Sequence, residues 1–389
     1  VLTDLIDRMR ALFKETTYDR TKGRVFMKLV KQADFFLGAN TPNGFASFFS
    51  ELNDPAFTDH CYIIKGCPGS GKSTMMKKAA DNTAWKERLT ERIHCSSDPD
   101  SLDGVILHDT RTIIADGTPP HPIEPVLPIA YETVVSLYGC FDRQKVADRR
   151  KEAMELNKKI KDCHKRCCCY LAGAELLLHD NFLIASQCTD YLKIAKLVQR
   201  LVQKEIPDKK SGCGTEHKRL LSAFTPKGNI VYTDTVSALC SKVYVIKDEY
   251  SASSRALLDG LKQAALSRGY DLFFCYSPLG WTDQPEHLLI PELELGFFTE
   301  NSYISYPEKP YRVIHHSRFT DKERLRLKKQ RLSFNKRAAR EILNEAVGSV
   351  AAAKALHDDL ESIYGSGVDF AKVNKMCDQM LSEIMARYH

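Results

Sequence analysis

The stretch Cys61 to Thr74, CYIIKGCPGSGKST, limits what this chain can fold into more than any other. It contains G-x-x-x-x-G-K-S as Gly66, Cys67, Pro68, Gly69, Ser70, Gly71, Lys72 and Ser73, with Thr74 next. The apolar, β-prone run Tyr62-Ile63-Ile64 precedes it, and Met75, Met76, Ala79 and Ala80 follow at helical spacing. Strand, glycine loop and helix in that order form a P-loop, which predicts an α/β fold with a mostly parallel sheet flanked by helices. Glycines let the backbone turn its N–H groups inward as an anion nest, and the helix N-terminus adds its positive end. Lys72 is then expected to reach the β- and γ-phosphates of ATP, and Ser73 to hold Mg²⁺ through its hydroxyl.

A P-loop also needs a carboxylate at a strand end for the metal. Two follow apolar runs: Asp116 in IIADG and Asp109 in VILHD. Asp116 is preferred because Gly117-Thr118 suits a strand that ends in a loop, and Asp109 is the alternative. The segment His94 to Asp103, HCSSDPDSLD, follows a predicted strand and is dense in hydroxyls and carboxylates. Ser96, Ser97, Asp98 and Asp103 there either line the ligand crevice or, the favoured reading, include a cap at Ser97 or Asp98 for a short helix through Leu102. His121, in GTPPHPIEP, reads first as a surface-loop histidine, and Lys65 as a lysine at the end of a strand.

The sequence repeats itself. CYIIKGCPGSGKSTMMKKAA from Cys61 parallels VYVIKDEYSASSRALLDGLK from Val243, and ANTPNGF from Ala39 parallels AFTPKGN from Ala223. His94-Cys95 and Phe274-Cys275 open two further similar segments. Several blocks in one order predict a tandem duplication. Asp248, Glu249, Tyr250, Ser251, Ala252 and Ser253 replace the glycines of the first loop, with Ser254 and Arg255 opposite Lys72 and Ser73. Two carboxylates there would repel phosphate, so the second module is expected not to bind nucleotide.

Between the copies, Ala153, Leu156, Ile160, Cys163 and Cys167, and then Tyr191, Ile194, Val198 and Leu201, recur at helical spacing. They predict an antiparallel helical hairpin inserted between the modules. Its first arm, Asp142 to Arg166, carries 10 Lys/Arg against 5 Asp/Glu, which is expected to be a solvated face. The cluster Cys163, His164, Cys167, Cys168 and Cys169 lacks a matching half-site elsewhere, so packing is favoured over metal binding. Lys209 to Lys218 has linker composition, Arg318 to Arg340 reads as a basic helix, and apolar stripes continue towards the end of the chain. The resulting boundaries are 1–141 for the P-loop module, 142–208 for the hairpin, 209–316 for the degenerate module and 317–389 for a helical C-terminal tail.

Composition narrows the class. Thirteen cysteines in 389 residues are too few and odd in number for a disulfide scaffold, which points to free thiols. No apolar run approaches the roughly 18 residues that read as a membrane span, and VLTDLIDRMRALF does not read as a signal peptide. The expected location is the cytoplasm, with no membrane partner. A formal net charge of +6 permits an anionic partner without favouring nucleic acid.

The motifs GCPGSGKST, HCSSDPDSLDGVIL with IIADGTPPH, HLLIPELELGFFTEN and LHDDLESIY with VDF give the chain a resemblance to a bacterial family, uncharacterised in function, of duplicated P-loop ATPase-like proteins. The resemblance runs from about Lys28 onward and implies ATP binding at the first loop. Members of such families can retain a loop in both halves, so the second loop here departs from the pattern. The expectation is Mg²⁺-dependent ATP binding and hydrolysis at one site, coupled to a protein partner or a conformational change. The alternatives are a kinase for a small molecule or nucleotide, with HCSSDPDSLD holding the phosphoryl acceptor, and an ATP-gated binding module without turnover.

Overall fold

The computed structural model describes residues 32–52, 58–82, 89–209 and 212–388. The first 31 residues, including the run weighed against a signal peptide, lie outside these. The first half runs β1 (Gln32–Phe36), β2 (Gly38–Thr41), β3 (Gly44–Ser47), β4 (His60–Lys65), α1 (Lys72–Ala80), β5 (Thr90–Cys95), β6 (Asp98–Leu107), β7 (Thr112–Asp116) and β8 (Glu132–Ser136). Helices α2 (Arg143–Asp148), α3 (Arg150–Ser186) and α4 (Tyr191–Glu205) follow. The second half runs β9 (Glu216–Arg219), β10 (Ser222–Thr225), β11 (Gly228–Val231), α5 (Thr233–Leu239), β12 (Lys242–Lys247), α6 (Ala252–Ser267), β13 (Leu272–Ser277), β14 (Trp281–Ile290), β15 (Leu295–Glu300) and β16 (Arg312–His315). It ends in α7 (Lys322–Arg326), α8 (Lys329–Gly365) and α9 (Phe370–Tyr388).

The fold is α/β with two mixed six-stranded sheets. The first has strand order β1-β5-β6-β7-β4-β8, and the second β9-β13-β14-β15-β12-β16. In each sheet one strand, β6 or β14, runs antiparallel to the rest. Alternation along β4 fills both faces: Cys61 and Ile63 enter a core shared by the two halves, while Tyr62 and Ile64 meet Met75, Met76 and Ala79 of α1. The hairpins β2–β3 and β10–β11 turn alike, with Thr41 and Thr225 hydroxyls donating to the carbonyls of Gly44 and Gly228.

Segment His94 to Asp103 differs from the capped helix expected of it. Residues 98–107 form β6, and Ser96-Ser97 make the tight turn into it. Sheet pairing on both sides of β6 outweighs the local capping preference, and a bulge at His94 and Cys95 accommodates Pro99, which has no N–H to donate. Strand register also places His94 opposite Leu102 and Tyr276 opposite Pro285 at the two bulges. His94 therefore corresponds to Tyr276, and Cys95 to Ser277 instead of Cys275.

The expected inserted hairpin and tail take another form. Helices α3 and α8 are each 37 residues long and pack antiparallel, Ala153 and Ile160 with Leu360 and Ile363, Cys167 and Leu171 with Leu343 and Ala346. Helix α4 leaves α3 and packs on α6 of the second half, while α9 packs on α1 of the first. Apolar spacing identified the buried stripes but carried no information about which helix covers them. Within the cysteine cluster Cys163 and Cys167 are buried, Cys167 in the core shared with α8, while Cys169 is exposed. Among the described residues, only α3 is long and apolar enough to cross a membrane.

The halves exchange these helices through matched contacts. Asp142, Asp190 and Asp321 cap α2, α4 and α7, and Asp369 accepts from the first N–H groups of α9. The Asp142 N–H donates to Gly367 O, and the Asp369 N–H returns a bond to Cys140 O. Asp190 with Phe319, and Asp321 with Cys188, repeat that exchange. At the sheet edges Phe36 and Leu220, each three residues before the alanine of its hairpin, bond reciprocally at 2.9 Å.

One buried ion pair crosses the same junction. Arg219 Nε donates to Glu91 Oε2 at 2.7 Å, and His108 Nε2 lies 2.7 Å from Glu91 Oε1. Burial alone would raise the Glu91 pKa, but Arg219 and His108 hold it well below the usual carboxylate value. Its contribution to stability is therefore full above the unfolded pKa of about 4.3 and is lost as pH falls towards the depressed folded value. Arg219→Met leaves a buried charge and should cost about 3–5 kcal/mol in urea unfolding at neutral pH, with most of it recovered in Glu91→Met/Arg219→Met. The double variant should also lack this component of acid sensitivity.

Candidate functional site

The loop between β4 and α1 lies at the carboxyl ends of the parallel strands, where α/β sheets bind ligands. Gly69 and Gly71 adopt φ of 68° and 90°, a left-handed conformation that favours glycine and turns the chain into α1. Lys72 is helical from the start, and its Nζ folds back to Gly66 O at 3.0 Å and Cys67 O at 3.1 Å. Ser70 is buried with its hydroxyl unpartnered. Ser73 Oγ accepts from the Leu102 N–H at 3.0 Å, which ties the start of α1 to β6. Pro68 and Cys67 are half-buried, and Thr74 faces outward.

Strand β7 lies beside β4 and ends at Asp116, which is paired with Ile64. Asp116 Oδ2 is 3.6 Å from Lys72 Nζ, and its other oxygen accepts from Thr118 N and Oγ1. Burial raises the Asp116 pKa, assisted by the nearby Asp103 charge, while Lys72 pulls it down. Lys72 and Asp116 thus lie together at the loop, with Ser73 next to Lys72 in the first turn of α1. Asp109 does not join them. It sits in the turn between β6 and β7, at the end of the sheet where Arg111 O bonds the Asp59 N–H, a full strand length from the loop.

His121 is not the surface residue its loop context suggested. It is buried, stacked on Phe49 at 4.2 Å between ring centroids, with Nδ1 3.1 Å from Asp116 O and Nε2 3.3 Å from Asp103 Oδ2. Burial opposes charge on the ring, but Asp103 and Asp116 outweigh it and raise the His121 pKa. Ser96 is buried with an unpartnered hydroxyl in the turn after β5. Asp98 is held by Ser101 and by Lys354 of α8 at 3.5 Å. Lys65 keeps to the strand end, bonded to Gly117 O and Glu124.

Helix α8 brings further groups to the loop. Glu361 Oε1 accepts from the Gly69 N–H at 3.3 Å, so a carboxylate from the second half touches the nest. His357, Asp358 and Glu361 form the one group of three ligand-type side chains close enough to hold a metal among the described residues. The sequence carries them in LHDDLESIY, which by itself reads as a polar helix face until α8 is docked.

The second loop is built differently. Helix α6 begins at Ala252 after Ser251, which has φ of 58°, so only four residues separate β12 from the helix where the first half has six. Ala252 and Ser253, and not Ser254 and Arg255, therefore stand opposite Lys72 and Ser73. The buried Asp248 carboxylate accepts from Ser253 N, Ser253 Oγ and Ser254 N, each at 2.8 Å. An internal anion fills this nest. A scan against protein-family models matched none, and neither curated proteins nor solved structures matched the chain.

Proposed function

We propose that the chain is a Mg²⁺-dependent, ATP-binding P-loop NTPase that hydrolyses ATP at a single site in its first half. The observation that carries this is the convergence of Lys72 and the strand-end Asp116, 3.6 Å apart, at the mouth of a glycine loop that opens a helix. Phosphate oxygens would replace the carbonyls that now hold Lys72, and the loop N–H groups would complete the charge balance. Ser73 and Asp116 offer the hard oxygen donors that suit Mg²⁺. The metal would neutralise charge developing on the transferred phosphoryl group. The matched strand order of the two sheets supports descent from one duplicated module, and the Asp248 arrangement supports a second module without nucleotide.

A second reading is favoured by one feature. The Asp103–His121 pair lies beside Asp116, and the Ser96 hydroxyl is buried without a partner in the turn after β5. A carboxylate–imidazole pair there could take a proton from a hydroxyl acceptor, which describes a kinase for a small molecule or nucleotide. Hydrolysis without an added acceptor supports the first reading, and stoichiometric phosphorylation of a metabolite supports the second.

Calorimetry should find one ATP per chain. Lys72→Ala should abolish that binding, whereas Ser254→Ala should leave it unchanged. Two sites per chain, or full binding in Lys72→Ala, would overturn the one-site reading. Glu361 competes with phosphate for the Gly69 N–H, so Glu361→Gln should tighten ATP binding about 2–10-fold, the worth of one hydrogen bond in water. Weaker binding would instead assign Glu361 a supporting role at the phosphates.

A further inference from the structure

The first half carries two aromatic rings beside its glycine loop that the second half lacks. The reciprocal backbone bonds at the two helix crossings fix the correspondence. The Asp369 N–H donates to Cys140 O and that of Asp142 to Gly367 O, as Asp190 donates to Phe319 O and Asp321 to Cys188 O. Counting back two residues from Cys140 and Phe319 sets Tyr138 opposite Ser317, and counting back three from Gly367 and Cys188 sets Tyr364 opposite Ala185. Both rings are missing in the half whose nest is filled by Asp248, and both are present in the half that keeps the glycine loop. Phe370, whose Cε1 would lie 3.9 Å from a Cβ on Gly71, has an aromatic counterpart in Tyr191 and carries no such distinction.

The two rings reach the loop from separate elements. Tyr138 lies in the short 3₁₀ turn Leu137–Cys140 that follows β8, and it is 50% exposed. Its neighbour Leu137 packs against the start of the loop, where a Cβ on Gly66 would meet Leu137 Cβ at 3.2 Å. Tyr364 is one helical turn beyond Glu361, on the face of α8 that meets the Gly69 N–H. It is half-buried against the seam of α3 and α8, which fixes its ring. Burial raises the pKa of its hydroxyl, and so do Cys67 of the loop and Tyr138, its charge neighbours. Strand β4 runs between β7 and β8. Asp116 marks the β7 side as that of the metal and the terminal phosphate. A triphosphate laid in the loop would therefore carry its nucleoside away from Asp116, towards β8 and Tyr138.

We propose that Tyr138 and Tyr364 form the platform for the base of the bound nucleoside triphosphate. The inference rests on the nucleotide reading of the first loop and adds to it a source of selectivity for a nucleotide over bare polyphosphate. Every base offers a π-face to an aromatic ring, so the two rings supply affinity without reading the edge of the base. A pair kept only for packing would be expected at the matching crossing of the second half, where the same backbone bonds persist. Its absence there follows the loss of the glycine nest, since a base platform serves nothing where no phosphate is held.

The test is calorimetric titration of the full chain with ATP and, separately, inorganic tripolyphosphate, each with Mg²⁺. ATP should bind about tenfold or more tightly than tripolyphosphate, the worth of stacking a base on a ring. Tyr138→Ser/Tyr364→Ala, which installs the residues that the second half carries, should bring ATP down to the affinity of tripolyphosphate. Tyr138→Phe/Tyr364→Phe, which keeps both rings, should retain the preference. Tyr138→Ser alone, at an exposed position, should already reduce it, and circular dichroism would establish which variants fold. Equal affinity for the two ligands in the unaltered chain, or a preference undiminished in folded Tyr138→Ser or retained in the folded double variant, would overturn the platform and leave the phosphate site standing. Failure of both ligands to bind would remove the phosphate site and the platform with it.

Discussion

The antiparallel contact between α3 and α8 governs the arrangement of everything else. Each helix leaves its own sheet and runs the length of the other, so neither half completes its surroundings alone. Small buried residues at the crossing, among them Ala174, Ala339 and Ala346, let the two backbones approach closely. The shorter helices α4 and α9 then fall onto α6 and α1 of the opposite halves, held by aspartate caps and by paired backbone bonds at each crossing. This is why a residue as remote in sequence as Glu361 touches the glycine loop.

The same exchange ties electrostatics to architecture. In the first half, Lys72, Asp116, His121 and Asp103 form a chain of alternating charge whose ends are the glycine loop and the core beneath it. Glu361 and Lys354 add one acid and one base from above. A phosphate entering such a site would redistribute bonds in both halves at once.

Local chemistry was legible in the sequence wherever one short segment carries it. The glycine loop, Lys72 and Ser73 are placed by a strand flanking a loop, and Asp116, not Asp109, lies beside Lys72 in the fold. Features that depend on partners distant in the chain were not legible. The segment from Asp98 reads locally as a helix cap, but pairing on both sides makes it a strand. His121 looks exposed because its loop is polar and rich in proline, yet Phe49 covers it. The apolar stripes of α3 and α4 have the right period, but periodicity does not name the surface that buries them. The correspondence between the halves was visible in the sheets, where hairpins and strands keep recognisable residues. It was invisible in the helices, which share little besides their aspartate caps and their length.

Asp248 has a consequence for what substitution can do in this loop. Its carboxylate and the loop shortened by two residues are mutually dependent: the shorter path from β12 to α6 brings the side chain into the nest, and the side chain satisfies the N–H groups that the path exposes. Removing the acid alone leaves a loop too short to wrap a phosphate, and lengthening the loop alone leaves the acid in place. Single substitutions therefore do not convert this loop into the form the first half has.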